Sequence, residues 1–114
     1  MTHPREWDVY LVTDRSFSRQ RSTLDIVKAA VEGGVSVVQL REKDLGSRSF
    51  YEEGMKIRNF LRDCRIPLIV NDRLDIALAL NADGVHLGQS DLPVNVARRI
   101  LGADRLIGIS VEKL

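Results

Sequence analysis

The chain switches repeatedly between two hydrophobic periods, and that alternation limits its fold more than any other feature. Five short apolar runs rich in β-formers occupy residues 9–13, 35–41, 68–70, 85–87 and 106–111. Four segments with apolar residues at helical spacing lie between them. Their stripes are Leu24, Val27, Ala30 and Val31; Phe50, Ile57, Leu61 and Cys64; Leu74, Ala77 and Leu78; and Val94, Ala97, Ile100 and Leu101. The resulting β-α-β-α-β-α-β-α-β order predicts an α/β fold with a parallel sheet and right-handed crossovers. The residues themselves leave two architectures open, a doubly wound sheet and a (βα)8 barrel. No G-x-G-x-x-G follows the first run, so a dinucleotide fold has little support.

Local signals set the boundaries. Ser22 or Thr23 caps the first helix, with Asp25 in its first turn, and Gly33-Gly34 ends it in a left-handed C-cap. Ser47 or Ser49 opens the second helix, where Glu52 and Glu53 sit near its positive end. Pro67 cannot continue that helix and starts the third strand. The third helix is expected over residues 73–80. Pro93 suits the first turn of the fourth, and Gly102 stops it. Residues 15–20 and 44–48 are polar and read as loops.

Composition removes several classes of function. Seventeen basic and 16 acidic residues leave a formal net charge of +1, which gives no electrostatic case for nucleic acid or an anionic membrane. Aromatics are 5%, too few for a base-stacking platform. No apolar run approaches a membrane span, and the polar N-terminus carries no signal-peptide pattern, so a soluble cytoplasmic protein is expected. Cys64 is the single cysteine; no intrachain disulfide is possible, and its place on the helical stripe reads as a buried small hydrophobe.

In either architecture, chemistry belongs at the C-terminal ends of the strands. The unusual residues fall there: Asp14, residues 39–43, Asn71-Asp72, Gln89-Ser90-Asp91 and Ser110. Strand alternation puts Gln39 and Arg41 on one face, with Lys43 just beyond. An amide, a guanidinium and an ammonium at one rim suit a polyanion such as a diphosphate. Asp72 and Asp91 follow apolar strands, and two carboxylates completed by waters and substrate phosphates make a Mg²⁺ site. The plain alternative is that each caps the helix after it. Arg41 and Lys43 at the same rim weigh against that, although acids and bases there can also simply pair. Gln39 and Asn71 can read a heteroaromatic ring edge or bond loop backbone. Lys43 lies beside Glu42 and Asp44, which speaks against a Schiff-base role. His86 reads as a core or rim histidine, and Ser110 as a substrate contact rather than a nucleophile. Asp75 is expected to orient its loop or pair with Arg73.

Five segments, in order, then resemble the thiamine-phosphate synthase family. They are Tyr10-Leu11-Val12-Thr13-Asp14, Gln39-Leu40-Arg41-Glu42-Lys43, Asn71-Asp72-Arg73-Leu74-Asp75-Ile76-Ala77, Asp83-Gly84-Val85-His86-Leu87-Gly88-Gln89-Ser90-Asp91 and Ile107-Gly108-Ile109-Ser110. The resemblance implies a (βα)8 barrel of the TIM type. It implies a transferase that joins 4-amino-2-methyl-5-hydroxymethylpyrimidine diphosphate to a thiazole phosphate, releasing diphosphate and forming thiamine phosphate. Under that resemblance Gln39, Leu40, Arg41, Glu42, Lys43, Asn71 and Ser110 bind substrate. Arg41 and Lys43 are the catalytic cations, and Asp72 and Asp91 hold Mg²⁺. The related thiazole tautomerases share the fold; the Asn71-Asp72 and Asp91 motifs favour the synthase, because a tautomerase has no metal-bound diphosphate to hold.

Length departs from the family pattern. A full barrel takes at least about 200 residues, and 114 residues reach only the fifth strand. The expectation is one domain over residues 1–114, the N-terminal portion of a truncated barrel carrying five strands and four helices. A fragment of a longer product is the favoured explanation. Self-association or pairing with a complementary half is a second, and an inactive half-barrel that binds ligand without turnover is a third.

Overall fold

The computed structural model describes residues 9–13 and 22–110. The expectations for Asp14, for the loop at 15–20 and for Val111 lie outside that range. Five strands alternate with four helices: β1 (Tyr10–Val12), α1 (Thr23–Glu32), β2 (Val37–Leu40), α2 (Ser47–Asp63), β3 (Leu68–Asn71), α3 (Leu74–Leu80), β4 (Gly84–Leu87), α4 (Val94–Leu101) and β5 (Leu106–Ile109). Every strand pair is parallel. The spatial order is β1-β2-β3-β4-β5, so each crossover steps to the adjacent position. A doubly wound sheet must reverse its strand order at a switch point. This sheet does not, and its four helices all pack on one face, as in a (βα)8 barrel.

The register shows how the faces are divided. Leu40, Val70, Val85 and Ile107 pair across four strands and point to the helices. Val27, Phe50, Ile57, Leu61, Ala77, Leu80, Ala97 and Leu101 meet them there in one continuous core. Burying that apolar face supplies most of the drive to fold, at about 25 cal/mol per Å². The neighbouring register row, Val12, Gln39, Ile69, Gly84 and Leu106, takes one residue from each strand and faces the other way. Its outer members are exposed, as are Tyr10 and Ile109, because β1 and β5 are the sheet's edges.

Several helix expectations need correction. Cys64 is exposed, not buried, because α2 ends at Asp63 and the residue caps it beyond the sheet. Leu78, Val94 and Ile100 are also exposed. α3 and α4 are short and meet the sheet over a narrow arc, through Leu74, Ile76, Ala77 and Leu80, and through Ala97 and Leu101. Of the Gly33-Gly34 pair expected to end α1, Gly34 is the left-handed member, at φ 103°. Ser22 caps α1 as expected, accepting from the Asp25 amide at 3.1 Å. No helix among the described residues is long and apolar enough to cross a membrane.

Candidate active site

The strand ends open into a cavity of about 1400 Å³ on the face away from the helices. Gln39, Arg41, Glu42, Lys43, Asn71, Asp72, Asp91 and Ser110 all line it, with Tyr10, His86, Gln89 and Ser90. Among the described residues, the structure therefore gathers every expected substrate or metal residue except one. Leu40 is fully buried in the helix-side core, where strand alternation sends it.

β2 delivers the cations. Thr13 ties the two strand ends together: its amide donates to the Gln39 carbonyl at 2.9 Å, and its Oγ1 accepts from the Arg41 amide at 3.0 Å. Beside them runs a chain of side-chain hydrogen bonds. Asn71 Nδ2 donates to Gln39 Oε1 at 2.9 Å, and Gln39 Nε2 donates to Tyr10 Oη at 3.0 Å. Gln39 and Asn71 therefore bond each other and not merely loop backbone.

β3 and β4 deliver the acids. Asp72 sits at φ 64° in the left-handed region, which aspartate tolerates better than most residues. Its amide donates to the His86 carbonyl at 2.8 Å, and the next amide, of Arg73, turns back to the Asn71 carbonyl at 2.7 Å. Neither acid is a helix cap. α3 has no side-chain cap, and neither does α4, which starts from Pro93. Asp91 Oδ2 instead accepts from the Gly88 amide at 2.6 Å, closing the β4 exit loop.

The two carboxyls meet. Burial raises the Asp72 carboxyl above its ordinary value, and a hydrogen bond with the Asp91 side chain and the charge of Asp91 raise it further; Arg73 pulls the other way. Arg73 also lines the cavity, and its guanidinium is engaged by neighbours. It binds Asp75 at 2.9 Å and donates to Ser47 Oγ at 2.6 Å, the pairing expected for Asp75. That bond holds the Asp75 carboxyl below its ordinary value.

The sequence did not reveal that His86 and Ser110 belong together. His86 Nε2 lies 2.6 Å from Ser110 Oγ, across 24 residues. Gly108, the register partner of His86, leaves room for the imidazole to lie across β5. Tyr10 was also missed. Its place two residues before Val12 on an alternating strand was the available signal.

A parallel sheet in sequential order, with amides, cations and acids at its strand-end mouth, defines an α/β barrel-type protein. The comparisons then give the family. The model for thiamine monophosphate synthase (TMP-TENI) matches residues 9–114, and the chain belongs to that family. It is 56% identical over 108 residues to the thiamine-phosphate synthase of Syntrophomonas wolfei, covering 95% of this chain and 52% of that protein. With the thiamine-phosphate synthase of Haloarcula marismortui the identity is 57% over 107 residues, covering 94% and 51%. The solved structure of the thiamine phosphate pyrophosphorylase from Pyrococcus furiosus superposes with a TM-score of 0.84 at 38% identity, covering 93% of this chain and 50% of that one. The chain thus spans about half the length of the relatives it matches.

Proposed function

We propose that this chain forms the pyrimidine-diphosphate half of a thiamine-phosphate synthase site. Support comes from the family and, above all, from one observation: Asp72 and Asp91 line the same mouth as Arg41 and Lys43, close enough for the two carboxyls to interact.

The donor set fits Mg²⁺. Two hard carboxylates suffice for an ion that keeps several waters and takes its remaining ligands from phosphate. The mutual repulsion that helps raise Asp72 is what a divalent cation relieves. Among the described residues no cluster of three or more His, Cys, Asp or Glu offers a zinc-type cage. Bound there, Mg²⁺ would neutralise charge on the diphosphate as it leaves.

The chain's own groups supply the rest. Arg41 offers planar, bidentate contact to phosphate oxygens, and Lys43 a point charge. Gln39 and Asn71 read the pyrimidine edge through an amide pair whose orientation is already set. Ser110, held by His86, gives a hydroxyl to the substrate. In the reaction the methylene–oxygen bond breaks and its electron pair leaves with diphosphate. The aminopyrimidine delocalises the positive charge, and the thiazole nitrogen closes the new carbon–nitrogen bond. No covalent nucleophile is needed, so positioning and charge stabilisation carry the chemistry.

The thiazole phosphate and the remaining strands belong to the other half of such a barrel. Val12 and Leu106, exposed on the edge strands, mark the sides where that half would pair, whether in the same polypeptide or a second one. The setting is cytoplasmic, with small-molecule substrates. Calorimetric titration with the pyrimidine diphosphate, with and without Mg²⁺, tests the reading. Mg²⁺-dependent binding is expected; no binding under either condition overturns it.

A further inference from the structure

Glu42 sits between the two cations and lines the mouth with them, yet one of its carboxylate oxygens is tied back to α1. Strand alternation turns it toward α1, and it is only 7% exposed. Its Oε1 accepts from Thr23 Oγ1 at 3.2 Å, a buried bond spanning 19 residues. Thr23 is the first residue of α1 and is itself 4% exposed. A carboxylate against the first turn of a helix is also favoured by the helix dipole.

We propose that Glu42 is a positioning residue that sets Arg41 and Lys43 for a diphosphate. β2 ends at Leu40, so the cations lie on a segment without sheet pairing. Two anchors flank Arg41: its own amide bonded to Thr13, and the next side chain bonded to α1. A strut to α1 fixes the direction of both neighbouring side chains without touching the ligand. Removing such an outer support typically weakens a site by about 10–100-fold. The inference rests on the diphosphate reading above and assigns Glu42 a role other than substrate contact.

The test uses inorganic diphosphate with Mg²⁺ as the calorimetric probe, and amide hydrogen exchange at residues 41–43 as a ligand-free readout. Thr23→Val keeps the shape of the threonine and deletes the donor. Glu42→Gln keeps the acceptor oxygen and deletes the charge. Thr23→Val and Glu42→Ala should each weaken diphosphate by about tenfold or more and speed exchange at residues 41–43; Glu42→Gln should stay within about threefold of the unmodified chain. If Glu42→Gln fails as badly as Glu42→Ala while Thr23→Val binds normally, Glu42 contacts the ligand or metal directly and the proposal is overturned. Normal binding by Thr23→Val and Glu42→Ala despite faster exchange overturns it too, and leaves the diphosphate reading standing. An unmodified, folded chain that binds no diphosphate overturns both.

Discussion

Asn71 Nδ2 donates to Gln39 Oε1 at 2.9 Å, and this one bond decides which way both amides face. Gln39 must then direct its own N–H groups elsewhere, and one goes to Tyr10 Oη. That phenol is left with its proton to give to the cavity. Tyr10→Phe tests the chain. Tyr10 is 43% exposed, so water replaces much of the lost bond, and a stability loss of about 0.5 kcal/mol is expected in urea denaturation. Affinity for the pyrimidine alcohol, which carries no phosphate, should fall more than stability does. Unchanged affinity would detach Tyr10 from ring recognition.

Asp72 carries an informative pair of substitutions. At φ 64°, alanine adds backbone strain of about 1–2 kcal/mol, whereas asparagine accepts the left-handed region. Asp72→Asn is therefore the clean variant. It should abolish Mg²⁺-dependent binding of the pyrimidine diphosphate without lowering the melting temperature, while Asp72→Ala lowers both. A melting temperature that drops equally for the two would make the residue structural.

The same carboxyl gives a pH dependence whose sign can be stated. Its folded value lies above the reference of 3.8, so the native state binds the proton more tightly than the unfolded chain. Stability from this group falls as pH rises through the window above 3.8, and the penalty is complete once the folded group has ionised. Asp75 runs the other way. Its bond to Arg73 lowers it from 3.8, so its contribution is present above 3.8 and is lost as pH falls toward the folded value. The pair is exposed, which limits it to about 0–1 kcal/mol. Subtracting the Asp75→Asn and Asp72→Asn curves from that of the unmodified chain, in denaturation between pH 3 and 7, should give opposite slopes.

Strand order, helix order and the helix-facing core were legible because a period of two and a period of 3.6 alternate cleanly. The mouth was legible for the same reason: in this architecture the strand ends share one rim, so charged residues there had to gather. What stayed hidden depended on register or on contacts distant in sequence. Nothing local to His86 points to Ser110, and nothing local to Glu42 points to Thr23. Cys64, Leu78 and Ile100 were misread because a helical stripe records which residues are apolar, not how wide an arc the sheet will cover. For Asp72 the sequence left a helix cap open beside the rim reading; it takes a left-handed backbone, and α3 has no side-chain cap.

Two glycines on the cavity side of the sheet should respond differently to alanine. Neither has a positive φ, so alanine meets no backbone strain, and lower unfolded-state entropy would favour it by about 0.4–1 kcal/mol. Close contacts decide the sign instead. A Cβ at Gly84 runs into the Leu106 backbone carbonyl, with its carbon at 2.9 Å, on the neighbouring strand. That backbone cannot rotate away, so Gly84→Ala should cost about 2–3 kcal/mol, near the top of the overpacking range. A Cβ at Gly108 meets His86 Nδ1 at 2.7 Å, and an imidazole can swing aside. Gly108→Ala should cost about 1 kcal/mol in stability, but the displaced ring gives up its 2.6 Å contact with Ser110. Its larger effect is therefore expected in ligand affinity, and Gly84→Ala's in folding. Urea denaturation and diphosphate titration of both variants measure the two effects separately. A Gly108→Ala chain that loses more stability than Gly84→Ala, with its affinity intact, would show that His86 is packed for folding and does not hold Ser110 for the ligand.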